Sequence, residues 1–120
     1  YDARFGYCTA FLGRWVRDCR IMPLEEAISR LTFRVASLFG LSDRGLIRPG
    51  FAADLVVFDP ATINTLEPEY VRDLPANETR MIQRAAGVHH TVVNGEVVIE
   101  NGVATGAYPG QVLRPRRWND

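Results

Sequence analysis

The chain has 120 residues, 47% hydrophobic and 23% charged, the mix of a soluble globular domain. Its 14 basic and 14 acidic residues balance, so no global field would draw nucleic acid or an anionic membrane surface. The length suits one ordinary domain able to bury a core, and the longest apolar runs fall far short of the ~20 residues that cross a bilayer.

No signal or transit peptide is visible at the front. The opening "YDARFGYC" lacks an initiator Met and starts in mid-pattern, so we expect a chain cut from something longer. In "TAFLGRWVRDCR" the residues Phe11, Leu12, Trp15, Val16 and Cys19 recur at helical spacing, with Arg14, Arg17 and Asp18 opposite. Thr9 is placed as the N-cap. "IMPLEEAISRLTFRVASLFG" then restarts the helical period. Pro23 suits a first helical position, Glu25 and Glu26 complement the N-terminal dipole, and Leu24, Ala27, Ile28 and Leu31 form the apolar stripe. Thr32 is placed to cap a short helix, Phe33 to Phe39, which Gly40 would close in a left-handed conformation.

After Gly40 the period falls from 3.6 to 2. "LVVF" at 55–58, between Pro49-Gly50 and Asp59-Pro60, reads as a continuous apolar strand buried on both faces. Residues 61–86 read as an irregular excursion with one short strand near Tyr70–Arg72. In "HHTVVNGEVVIENGVAT" the Asn94-Gly95 and Asn101-Gly102 pairs are type I′ turn signals and predict a three-stranded meander from His89 to Thr105. The tail "RPRRWND" is polar and reads as loose. The fold class expected is therefore α+β, helices within 9–39 and antiparallel strands at 53–58, 89–93, 96–100 and 103–105.

Few residues suggest chemistry. His89 and His90 are adjacent at the start of a strand, where alternation sends them to opposite faces, so a regular strand cannot bring both to one ion. With no Cys beside them they read as ordinary strand residues. Cys8 and Cys19 are eleven positions apart, about 16 Å along a helix, far beyond disulfide reach. They read as reduced thiols packed like small hydrophobes, which suits the cytoplasm. Asp54 is expected to pair with Arg44 or Arg48, or to accept backbone N–H groups. Asp2, Asp18, Asp43 and Asp59 make no spaced acid–base pair. Ser29, Ser37 and Ser42 lack the Gly-x-Ser-x-Gly setting of an activated nucleophile. Asn77-Glu78-Thr79 matches a glycosylation sequon but has no secretory context.

"DRGLIRPGFAADLVVFDPATI" resembles the segment of the amidohydrolase superfamily where the chain leaves a metal-dependent (β/α)8 barrel and rejoins a small β-sandwich built from both chain ends. "LGRWVRDCRIMPLEEAISRLTFRVASLFGL" is similar to the helices that close the barrel in the N-acyl-D-amino-acid deacylase (D-aminoacylase-like) branch. "GVHHTVVNGEVVIENGVATGAYPGQVLRP" is similar to that branch's C-terminal hairpin and tail. The resemblance implies closing barrel helices at 1–44, the small β-sandwich at 45–113 and a loose tail at 114–120. Gly45 and Pro49-Gly50 then serve as a tight reversal, and Ala52-Ala53 as a small-residue step.

For the parent protein the resemblance implies zinc that polarises an amide carbonyl and activates a water, with an aspartate of the last barrel strand as general base. The family's ligands are histidines, a modified lysine, cysteine or carboxylate, and that aspartate. None matches a residue of this chain. Asp2 lacks the Ser-Asp setting, and "YDAR" stands where many members carry His-Pro-Arg, a departure at Arg4. The expectation is thus a C-terminal fragment without catalytic, cofactor-binding or metal residues, inactive alone. Its partners would be the missing N-terminal barrel portion or a second copy, with a small-molecule amide substrate in the parent. Two other readings stay open: a fragment of a cyclic-amide hydrolase (dihydroorotase- or hydantoinase-like), and a non-catalytic β-module with a binding or assembly role. Under the first two, Phe11, Trp15, Leu24, Ile28, Leu31, Phe33 and Phe39 form an apolar face meant for a barrel this chain does not contain.

Overall fold

The computed structural model describes residues 6–114; Asp2, Arg4 and residues 115–120, most of the expected tail, lie outside them. The chain is mixed helix and strand and divides into two units. One runs through Ile21 and resumes at Asp59–Gly87; the other holds Met22–Phe58 and continues from Val88.

In the first unit, helix α1 (Tyr7–Ala10) runs directly into a π-helix, Phe11–Asp18. The helical period expected here is present, but the winding is wider: the Cys19 N–H donates to the carbonyl of Arg14, five residues back. Wider winding narrows the arc over which Leu12, Gly13, Val16 and Arg17 are spread, and three of these four are buried. Thr9 is not the N-cap. Gly6 holds that position, and the Thr9 hydroxyl donates to the Gly6 carbonyl (3.1 Å) and meets the Thr65 hydroxyl at 2.6 Å. The excursion at 61–86 is more regular than its sequence suggests. The expected short strand lies at β3 (Glu69–Val71) and pairs with β4 (Arg80–Ile82), while β2 (Asn64–Thr65) pairs with β5 (Ala85–Ala86). A 3₁₀ turn, Pro75–Asn77, joins β3 to β4, with Ala76 and Asn77 both at φ 59°. Ile63, 2% exposed, is the centre of this unit's core with Leu12 and Val16.

In the second unit Pro23 sits one position earlier than expected. Its extended ψ of 149° makes it the residue before α2 (Leu24–Leu31), where its missing N–H costs nothing. Thr32 does precede α3 (Phe33–Leu38), but its hydroxyl turns back to the Ile28 carbonyl (2.8 Å) instead of capping forward. A β-region side chain could cap; at φ −124° and ψ −90° Thr32 does not have that geometry. Gly40 is left-handed at φ 70°, as expected of a helix terminator.

Strands β1 (Leu55–Phe58), β6 (Val88–Val93), β7 (Glu96–Glu100) and β8 (Val103–Ala104) form one antiparallel sheet in the order β1-β6-β7-β8. All four lie where the period-2 pattern places them. Both Asn-Gly pairs turn with positive φ at each residue (48° and 85° at Asn94-Gly95, 48° and 81° at Asn101-Gly102), and two-residue loops join β6 to β7 and β7 to β8. The sheet is bulged twice. Val57 faces His90 while Phe58 faces Val88, so His89 has no partner in β1; a second shift falls between Thr91 and Val92.

Two burial expectations need correction. "LVVF" is not buried on both faces: β1 is an edge strand whose Val56 and Val57 are 55% and 48% exposed. The apolar helical face is also only partly uncovered. Phe11, Trp15, Leu24, Ile28 and Leu31 are half-buried, whereas Phe33 and Phe39 are exposed. In this unit the described core proper is Ala27 and Ala36.

Candidate functional site

A metal centre is the first possibility to test against the residues present. Among the described residues no group of three or more His, Cys, Asp or Glu side chains converges on a point. His89, in the bulge, is exposed while His90 is half-buried. The bulge breaks the regular alternation assumed from sequence, yet the two histidines still differ in burial, and among the described residues they join no group of three potential ligands. Cys8 and Cys19 are free thiols. Cys19 is exposed, so it is not the packed hydrophobe expected. The donor set does not fit a catalytic zinc, which takes about three protein ligands and an open position.

Nucleophile chemistry fares no better. Ser29 lies in a groove of about 380 Å3 with Glu25, Ile28, Phe33 and Leu55, but neither histidine lines it. The Thr32 hydroxyl at the same groove is committed to a backbone carbonyl.

The most organised polar constellation is built around Arg44, whose side chain is 13% exposed. Gly45 sets it there. With φ at 84° and an added Cβ only 2.9 Å from the Phe33 Cα, the loop after Arg44 must pass flat against the start of α3. Arg44 Nη1 donates to Asp54 Oδ2 at the entrance to β1, and Nη2 donates to Asn94 Oδ1 at the β6–β7 turn (3.0 Å). The second Asp54 oxygen accepts the Asn94 backbone N–H at 2.9 Å. Asn94 Nδ2 in turn donates to the Pro109 carbonyl at 2.8 Å. Arg44 Nε is buried without a hydrogen-bond partner among the described residues, with an Asp43 oxygen 3.9 Å away. Burial pushes the Asp54 carboxyl up, but the Asn94 N–H and the Arg44 guanidinium outweigh it and hold the group below its ordinary value.

Of the two partners expected for Asp54, the structure selects Arg44 and adds a backbone N–H. Arg48 lies instead over the Phe51 ring, 5.0 Å from its centroid. The role of Asn94 was legible only as a turn residue; its side-chain bonds depend on contacts with residues up to fifty positions away. Asp59 makes a local turn, accepting the Ala61 N–H (2.8 Å) and the Thr62 hydroxyl (2.9 Å). In the first unit Arg17 donates to the carbonyls of Ile63 (2.6 Å) and Ala61 (3.2 Å). Arg80 pairs with Asp73, and Arg84 with Glu69, each at 2.6 Å. These groups hold chain segments in place.

The described residues form helices followed by antiparallel strands, and comparison with known proteins defines the class. The amidohydrolase family matches residues 3–99, and the chain belongs to that family. Within it the chain is similar to D-aminoacylase of Alcaligenes xylosoxydans xylosoxydans, 40% identical over 85% of this chain and 19% of that protein. N-acyl-D-aspartate deacylase of the same organism is 41% identical over 96% of this chain and 21% of its own length. A dihydroorotase of Lactobacillus acidophilus is 32% identical over 74% of this chain and 21% of that protein. Among solved structures, a D-aminoacylase mutant in complex with CuCl2 superposes with a TM-score of 0.72, at 40% identity over 91% of this chain and 21% of that one. N-acyl-D-glutamate deacylase from Bordetella bronchiseptica, complexed with zinc and a phosphonate inhibitor, gives 0.68, at 40% identity over 88% of this chain and 20% of that one. The chain thus spans about a fifth of the length of the curated relatives it matches.

Proposed function

We propose that this chain is the C-terminal part of a metal-dependent amidohydrolase that cleaves the amide C–N bond of N-acyl-D-amino acids. The observation that carries the reading is the pattern of likeness: 36% to 41% identity to three deacylases of N-acyl-D-amino acids or D-aminoacylase type, over 85% or more of this chain. In the parent, residues 1–44 would close a (β/α)8 barrel, 45–113 would belong to the small β-sandwich, and 114–120 would trail from it. Zinc would be held by residues outside this chain, since the described residues do not assemble a ligand set. The contribution of this piece is to close and brace the barrel, with the Arg44–Asp54–Asn94 constellation fixing the return segment to the sheet.

The free thiols of Cys8 and Cys19 support a cytoplasmic setting for the parent. Its partners would be the missing N-terminal portion, or a second copy where that portion is absent, and a small-molecule amide substrate. The exposed Phe33, Phe39 and Val56 favour such a partner.

Fusing the chain behind the N-terminal four-fifths of the similar D-aminoacylase tests this. We expect zinc-dependent release of free D-amino acid by the fusion and none by the 120-residue chain. Turnover by the isolated chain, lost on chelation, would overturn the reading and place the site among residues assigned here to structure. The likeness to dihydroorotase favours one second reading, a parent acting on a cyclic amide. Ring opening of dihydroorotate by the full-length parent, without deacylation, would select it. A parent with neither activity would leave the non-catalytic module.

A further inference from the structure

Beyond Thr105 the chain leaves the sheet and runs without regular structure as a strap, Gly106–Gly110. A cavity of about 490 Å3 is lined by Val93, Val98 and Ile99 of the sheet and by Ala107 and Pro109 of the strap, both half-buried, while the intervening Tyr108 is 93% exposed. Local bonds fix only the strap's root: Thr105 N–H donates to the Val98 carbonyl (3.1 Å), its hydroxyl to the Val97 carbonyl (2.7 Å), and the Ala107 N–H to that hydroxyl (3.3 Å). Farther out, one hydrogen bond among the described residues ties the strap to the sheet, from Asn94 Nδ2 to the Pro109 carbonyl.

That single bond has a built-in orientation. An Asn amide presents one acceptor and one donor end. Arg44 Nη2 occupies the acceptor end, which leaves the donor end facing Pro109. Asp54 holds both Arg44 and the Asn94 backbone N–H, so the amide cannot turn over without losing a charge-assisted contact. We infer that Asn94 is the catch of a hinged strap, set by Arg44 and Asp54, that closes Gly106–Gly110 over an apolar cavity on the β6–β8 sheet. Hinging occurs at Thr105–Gly106, where Gly106 has φ 87° and nothing within 4 Å of an added Cβ. An exposed strap root with one distal tie opens at far lower cost than the sheet beneath it.

Two substitutions separate the catch from the turn. Asn94→Gly keeps the left-handed turn and removes both side-chain bonds. Asn94→Asp keeps the turn and an acceptor for Arg44 but cannot donate to Pro109. In the 120-residue chain we expect both variants to lower the ¹⁵N heteronuclear NOE at Ala107, Tyr108 and Gly110 to the level of a loose loop. Amide shifts of Val92 and Val97, in the β6–β7 ladder, should stay in place. Unchanged strap order in both variants would overturn the inference, and so would loss of the ladder together with the strap.

Discussion

At Arg44, one guanidinium holds three segments distant in sequence: the return loop, the start of β1 and the β6–β7 turn. Its planar fork does this through two nitrogens at once, which a lysine ammonium cannot copy. Arg44→Lys should therefore lower stability by about 1–2 kcal/mol despite the retained charge, read from the midpoint of urea unfolding. Asp54 supplies the pH dependence. Its pKa is depressed in the folded chain, so its contribution is complete above the unfolded carboxylate value and is lost as pH falls through the lower folded value. Unfolding midpoints measured downwards from pH 6 should hold level until about pH 4 and then fall more steeply than in Asp54→Asn. Parallel curves would show that the carboxylate is not the group responsible. Asp73 and Asp18 are also depressed, by Arg80 and Arg17, but lie in solvent, where such pairs add little.

Among the elements, the π-helix carries the sharpest test. Gly to Ala in a helix interior normally stabilises by about 1 kcal/mol. At Gly13 an added Cβ would stand 2.4 Å from the Ile63 carbonyl oxygen, a backbone atom unable to yield as a side chain would. Overpacking of that kind costs about 1–3 kcal/mol and reverses the sign. Gly13→Ala should thus lower the thermal midpoint, whereas a rise would mean the helix is not seated on Ile63 as described. The hairpins behave differently: Gly95→Ala meets no atom within 4 Å, and its cost should be the backbone strain of φ 85° alone, about 1 kcal/mol. Much of this level was legible. Asn-Gly pairs specify I′ turns by local chemistry, and strand periods of 2 at 88–100 declare themselves. Of the β2–β5 and β3–β4 ribbons only the strand near Tyr70 was legible, because strands of two or three residues carry too little period to detect their partners, which pair only across the fold.

For the whole molecule the decisive fact is how little of the large apolar surface is enclosed. Phe33, Leu38, Phe39, Ile47 and Val56 are all more than two-fifths exposed, and β1 offers an unpaired edge without a charged or Pro residue between Leu55 and Phe58. Edges of this kind recruit further chain. The isolated 120-residue chain should sediment as dimers or larger species at micromolar concentration. Val56→Lys, which places a charge on that edge, should shift it toward monomer; a wild-type chain that stays monomeric would show that its exposed surface is tolerated.

Residue order alone determined the class of each long element, the Asn-Gly turns, the Gly40 stop and the family likeness, because these rest on local propensity, short-range turn chemistry and linear pattern. Only the tertiary structure decided that the first helix winds as a π-helix against Ile63, that β1 is an edge, that the strand bulges at His89, and that Asp54 chooses Arg44 over Arg48. Each of those outcomes depends on contacts between residues far apart in the chain, whose energies no local window contains.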